Sequence, residues 1–159
     1  MAVELDELDH RIVALLLQDA RTPAAQIAEQ IGLSRTAVAD RLDKLERQGV
    51  IRGTTAVVDP VALGRGVTAF VSARGATLSS TAWKKFRELM TGEQILEVHT
   101  VAGDDCYLIK VRAESIGALN TLVQQLTTPP LSLATRTTIV METHCEKVGG
   151  IDLGRESAK

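Results

Sequence analysis

From Ile27 to Ile51 the chain reads IAEQIGLSRTAVADRLDKLERQGVI, a short amphipathic stretch, a Gly-Leu-Ser turn and a longer amphipathic stretch at the spacing of a helix-turn-helix. Ile27, Ala28 and Ile31 share one face of the first stretch. Val38, Leu42 and Leu45 follow one another at i, i+4 and i+7 in the second, and stripes this narrow must bury against each other. Gly32 permits the sharp reversal and Leu33 points inward. Ser34 stands where its hydroxyl can accept from the first free amides of the second helix, and Gly49 stops that helix as the residue beyond the cap.

At about 100° per residue, Ala37, Asp40, Arg41 and Lys44 are expected to fall away from the apolar stripe, with Ser34, Arg35 and Thr36 at the N-terminal end. This is the face expected in the major groove of duplex DNA. Arg35 and Thr36 are placed to read base edges, and Arg41, Lys44 and Arg47 to meet phosphates. The helix N-terminus adds its own partial positive charge. Asp40 works against phosphate unless it accepts from a cytosine amine or is masked by Lys44 at i+4. A solvated helix face is the competing account of these mixed charges, and the turn and caps weigh against it.

The balance of 18 Lys and Arg against 20 Asp and Glu gives a net charge of −2, so no global basic field draws the chain to nucleic acid. Binding has to rely on a local patch used in several copies, which favours an oligomer. At 159 residues with 45% hydrophobic content, two small domains fit better than one. No apolar run approaches the roughly 20 residues of a membrane span, and the opening MAVELDELDH lacks a signal peptide's pattern, so a cytoplasmic protein without a membrane partner is expected. Two cysteines, Cys106 and Cys145, form no CxxC and no disulfide framework.

Leu8, Ile12, Leu15 and Leu16 predict an opening helix with Asp6, Glu7 and Asp9 around its first turn, which completes a three-helix core. Thr22 is placed to cap the second helix, with Pro23 at its first position. After Gly49 the run VIRGTTAVVD predicts a hinge strand, followed by turn residues at Pro60, Gly64 and Gly66. From there the pattern predicts a strand over 67–74, a helix over 79–90, strands over 95–101 and 106–113, a helix over 115–126 and a last strand over 134–145. That order is βαββαβ, the ferredoxin-like plan. Trp83, Phe86 and Met90 are expected in the core from the first of these helices, and Ile116, Leu119, Val123 and Leu126 from the second. Phe70 beside Val71, Leu108 beside Ile109 and Ile139 beside Val140 place apolar side chains on both sheet faces, so a second copy is expected to cover the outer face. The fold class is therefore α+β. It comprises a three-helix winged helix-turn-helix domain over 1–52, a hinge over 53–66, a βαββαβ domain over 67–148 and a tail over 149–159 with few apolar anchors.

Taken together, LDELDHRIVALLLQDAR, the helix-turn-helix, VDPVALG at the hinge, and VAGDDCYLIKV and TRTTIVM in the second domain resemble the Lrp/AsnC (feast/famine) family of transcription regulators. The resemblance covers nearly the whole chain. It implies a DNA-binding regulator that forms dimers and assembles further, commonly to an octamer. It also implies an amino acid or related small effector bound where dimers meet, near the loop between the second and third strands of what the family calls the RAM domain. By position, that loop is Ala102, Gly103, Asp104, Asp105, Cys106 and Tyr107, with Thr135 and Thr137 on the last strand as neighbours. Where the family usually has an aspartate three residues after the loop glycine, this chain has Cys106. A thiol is neutral, so Asp104 or Asp105 is left to meet an ammonium group.

Rival classes fare less well. His99, His144 and Cys145 suggest neither a catalytic set nor a metal site, since no HExxH, paired Cys motif or phosphate-binding loop accompanies them; no enzyme, metal or cofactor is expected. An RNA-binding sheet needs stacking aromatics, and aromatics are 3% of the chain. A nucleoid-organising protein of broad specificity is the nearer alternative, separated from a regulator only by its specificity ratio.

Overall fold

The computed structural model describes residues 4–75, 77–148 and 151–152. They divide into two compact units: one takes the described residues up to Ala56 together with those from His144 onward, and the other is Val57–Thr143.

The helical unit is built from α1 (Glu7–Gln18), α2 (Ala24–Ile31) and α3 (Arg35–Arg47). Asp6 opens α1 with a capping box: its side chain accepts from the Asp9 amide at 2.8 Å, and its own amide donates to the Asp9 carboxylate at 3.4 Å. Before α2 the cap differs from the expected one. Pro23 occupies the cap position with no side-chain bond, and the Thr22 hydroxyl turns back to donate to the Asp19 carbonyl at 2.7 Å. Ile12, Ile27, Ala28, Ile31, Val38 and Leu45 form the buried cluster, with Leu16, Leu33 and Leu42 packed against it. Arg11 ties α1 to α2 by donating to the Gln30 carbonyl at 3.1 Å.

The hinge strand does not form. Residues 52–59 make no ladder, and Val57 and Val58 stand exposed. Local β-propensity needs a neighbouring strand to become structure, and the chain offers none there.

The second unit holds β1 (Val67–Arg74), α4 (Ser80–Met90), β2 (Ile95–Thr100), β3 (Tyr107–Ala113), α5 (Ile116–Thr127) and β4 (Ala134–Ile139). The four strands form one antiparallel sheet in the order β2-β3-β1-β4, which is the ferredoxin-like arrangement. Both helices cover the face that carries Ala69, Val71, Ala73, Ile109, Val111 and Ala113. β4 ends at Ile139, short of the expected Cys145, because β1 starts at Val67 and the Val140 amide donates to the Thr68 carbonyl as its last partner on that strand. Two short strands, β5 (Lys147–Val148) and β6 (Ile151–Asp152), pair with each other in a separate sheet and group with the helical unit. The rest of the tail, 149–150 and 153–159, lies outside the described residues.

Two expected core residues sit elsewhere. Trp83 is 40% exposed and Ile116 55% exposed; the buried positions of α4 are Ala82 and Phe86, and those of α5 are Leu119, Leu122 and Leu126. Ile116 is the first residue of its helix, where one side has no preceding turn to pack with. On the open sheet face, Phe70 is 37% exposed and pairs across the strands with Lys110 and Thr138, so its apolar surface has polar neighbours.

Candidate nucleic-acid interface and effector loop

The turn before α3 rests on backbone chemistry that the sequence specifies. Gly32 adopts φ 75°, a conformation costly for residues with a Cβ, and its amide and that of Leu33 both return to the Ala28 carbonyl at 2.9 and 3.0 Å. Ser34 caps α3 by accepting from the Ala37 amide at 3.1 Å. At the other end Gly49, φ 70°, follows the cap residue Gln48, and the Val50 and Ile51 amides close onto the Leu45 carbonyl. The result is a 13-residue helix fixed at both ends.

Its N-terminal end is solvated: Ser34, Arg35 and Thr36 are exposed and Ala37 is half-buried. Asp40 and Arg47 are also exposed, and the Arg47 Nε donates to the Asp43 carbonyl at 3.2 Å. Asp43, exposed on the same outer side, is a second acid that sequence reasoning passed over. Ser34, Arg35 and Thr36 thus lie exposed at the positive end of a helix dipole, with the Ser34 hydroxyl engaged in the cap.

Arg41 does not fall away from the stripe. It stands three residues after Val38 and four before Leu45, so it lies on the buried side of α3 and faces α1. Its Nη1 donates to Asp6 Oδ2 and to Asp9 Oδ1, each at 2.6 Å. Asp9 is fully buried, and its other oxygen lies 3.6 Å from the Lys44 ammonium. The hydrogen bonds that Arg41 donates to Asp6 and then to Asp9 raise the pKa of its guanidinium above the ordinary value. The Asp9 amide, and then Arg41, push the Asp6 carboxyl below its usual value.

In the second unit residues 101–106 join β2 to β3, with Gly103 at φ 137° and Tyr107 opening β3. Ala102, Gly103 and Asp104 are exposed, while Asp105 turns to Arg136 at 3.1 Å. The Cys106 amide donates to the Ala73 carbonyl at 3.0 Å, and its thiol lies 3.8 Å from the Gly75 carbonyl. Cys106 and Tyr107 line an open cavity of about 410 Å³ together with Gly75, Thr77, Leu78 and Trp83. Asp104, Asp105, Thr135 and Thr137 are not among its lining residues; Thr135 and Thr137 sit on the edge strand opposite Ala73 and Val71. The aromatic ring of Trp83 belongs to this wall, its centroid 5.7 Å from that of Phe86; its spacing from Phe86 and Met90 is what put it on the expected core stripe.

Residues 5–52 match a winged helix-turn-helix DNA-binding model, and residues 68–149 match the Lrp/AsnC ligand binding domain. The HTH-type transcriptional regulator FL11 of Pyrococcus abyssi is 34% identical over 92% of this chain and 95% of its own length. The leucine-responsive regulatory protein of Escherichia coli is 35% identical over 87% of this chain and 86% of its own. The crystal structure of the Mycobacterium tuberculosis leucine response regulatory protein LrpA superposes with a TM-score of 0.78 at 31% identity, covering 91% of this chain and 97% of that one. With a helix-turn-helix and a βαββαβ unit joined in this order and both matched along nearly their full lengths, the chain belongs to the Lrp/AsnC family of DNA-binding transcriptional regulators.

Proposed function

We propose that α3 enters the major groove by its N-terminal end. In this reading Arg35 and Thr36 contact base edges, and Ser34, Ala37, Lys44 and Arg47 lie along the backbone. The observation that carries the proposal is the exposure of Ser34, Arg35 and Thr36 at the capped, positive end of a helix whose opposite side is buried in the helical core. Asp40 and Asp43 narrow the choice of DNA, because an acid in the groove is tolerated only where it accepts from a base amine. Arg41 is assigned to holding α3 in place.

Two such helices, carried by a dimer, read half-sites on successive helical turns. The open sheet face around Phe70 and Leu108 supports self-association of the second unit, and further assembly to an octamer follows the family's habit. A small effector, an amino acid or related metabolite, is sensed around the 102–107 loop; the match of 68–149 to a ligand binding domain supports the binding of a small molecule by this unit. Binding shifts function only if the effector prefers one assembly state over another. Among the described residues no helix is long and apolar enough to cross a membrane, in keeping with a protein that works on DNA in the cytoplasm.

Methylation interference on a bound duplex tests the docking. Methyl groups at guanine N7, in the major groove, are expected to block binding in both half-sites. Interference confined to adenine N3, in the minor groove, would refute it.

A further inference from the structure

We propose that Asp9 is a positioning residue for DNA reading, an internal counter-anion that withdraws Arg41 from the phosphate contacts and fixes the roll of α3. The inference rests on the reading of α3 as the groove-facing helix.

Asp9 is the one charged side chain buried among the described residues, at 0% exposure. A buried carboxylate persists only with its charge matched and its lone pairs occupied. Here Oδ1 accepts from Arg41 at 2.6 Å, while Oδ2 lies 3.4 Å from the Asp6 amide and 3.6 Å from Lys44. The same Arg41 nitrogen also donates to Asp6 Oδ2 at 2.6 Å. Asp6, Asp9, Arg41 and Lys44 together carry no net charge. A phosphate seeking Arg41 would have to displace two carboxylates and would leave the fully buried Asp9 without its nearest cation. A solvated phosphate gains too little to cover that loss.

Two consequences follow for DNA reading. The first is electrostatic: the cations of α3 left free for DNA are Arg35 and Arg47, both exposed, with Lys44 half-committed, its side chain 44% exposed. The second is geometric. Arg41 is bonded at one point to two residues of the α1 start, so α3 cannot rotate about its axis without breaking both bonds. That roll decides whether Thr36 or Ala37 leads into the groove.

The test uses the full chain and a duplex enriched from a random pool by the wild-type protein, with Kd measured across a potassium chloride series. Asp9→Asn/Arg41→Gln removes both charges and leaves no stranded buried ion. It is expected to keep the wild-type slope of log K against log salt. Arg47→Gln, at an exposed cation, is expected to flatten the slope by about 0.9 per bound protomer. Asp6→Asn/Asp9→Asn removes both carboxylates that hold Arg41, so the slope steepens by up to about 0.9 per protomer and the preference for the enriched duplex over random DNA falls. A merely structural role for Asp9 would lower helix stability without moving the slope. If Asp9→Asn/Arg41→Gln flattens the slope as Arg47→Gln does, Arg41 touches phosphate and the proposal is overturned. If Arg35→Gln and Arg47→Gln change neither slope nor preference, α3 is not the DNA face, and the positioning role falls with it.

Discussion

Replacing Leu45 with alanine should unfold the helical unit and leave the sheet unit standing. Leu45 is fully buried and belongs to a cluster of six buried residues, none of which is shared with the core under the sheet. Losing about three methylene equivalents removes about 2 kcal/mol of transfer free energy, and the cavity left behind brings the cost to about 2–5 kcal/mol. A unit of roughly 50 residues has about 3–8 kcal/mol to lose, so the variant gives up a large part of that margin and melts well below the wild-type helical unit. Helical ellipticity and Trp83 fluorescence separate the outcomes, because the one tryptophan sits on α4 beside Phe86 in the sheet unit. The expected result is an early loss of ellipticity and of DNA binding, with the Trp83 transition near its wild-type midpoint. If the Trp83 transition moves down together with the helical one, the two cores are one cooperative unit and the reasoning fails.

Ser34→Ala should cost about 1 kcal/mol of helical-unit stability through loss of the cap, whereas Ser34→Gly costs only a few tenths, about 0.3 kcal/mol; urea melts of the two variants give the comparison. Gly32→Ala meets open space around its new Cβ, so its penalty is backbone strain alone, about 1–2 kcal/mol, read in the same melts. The depressed Asp6 carboxyl stabilises the fold above its ordinary value of 3.8, and that contribution disappears as pH falls through the lower folded value. Wild type should therefore melt above Asp6→Asn at neutral pH, with the two curves converging in acid; a gap that persists at the lowest pH would contradict the assignment. Asp104→Ala and Asp105→Ala should abolish any amino-acid-induced change in solution mass while sparing the melting temperature of the sheet unit. An undiminished response in both would remove the loop from the effector site.

The helix-turn-helix was legible because its signals are local: the stripe spacing, the Ser34 cap and the two glycines each act within one turn of chain. The Asp9–Arg41 pair was legible in principle. Asp9 precedes Ile12 by three residues, and Arg41 lies between Val38 and Leu45, so both sit on buried stripes. Reading charge as a mark of the surface hid them; an acid on one buried stripe demands a cation on the facing one. The ferredoxin-like order followed from alternating periods. The extent of β4 did not, because a strand ends where its partner ends, and the start of β1 at Val67 is a long-range fact about β4. Trp83 was misplaced for a related reason. Its size dominates the apolar pattern of α4, while the smaller Ala82 takes the fully buried position. The cavity wall joins Leu78 and Trp83 to Cys106 and Tyr107, two stretches of chain that no single window of sequence contains.

The central claim is that the exposed N-terminal end of α3 reads bases, and selection of binding sites from random duplex DNA tests it most directly. Wild type and Arg35→Ala are each carried through the same selection, with melting curves to show that both are folded. A shifted or relaxed consensus for Arg35→Ala at one position of each half-site is the predicted result; an identical consensus with identical affinity for Arg35→Ala, and likewise for Thr36→Ala, would contradict it.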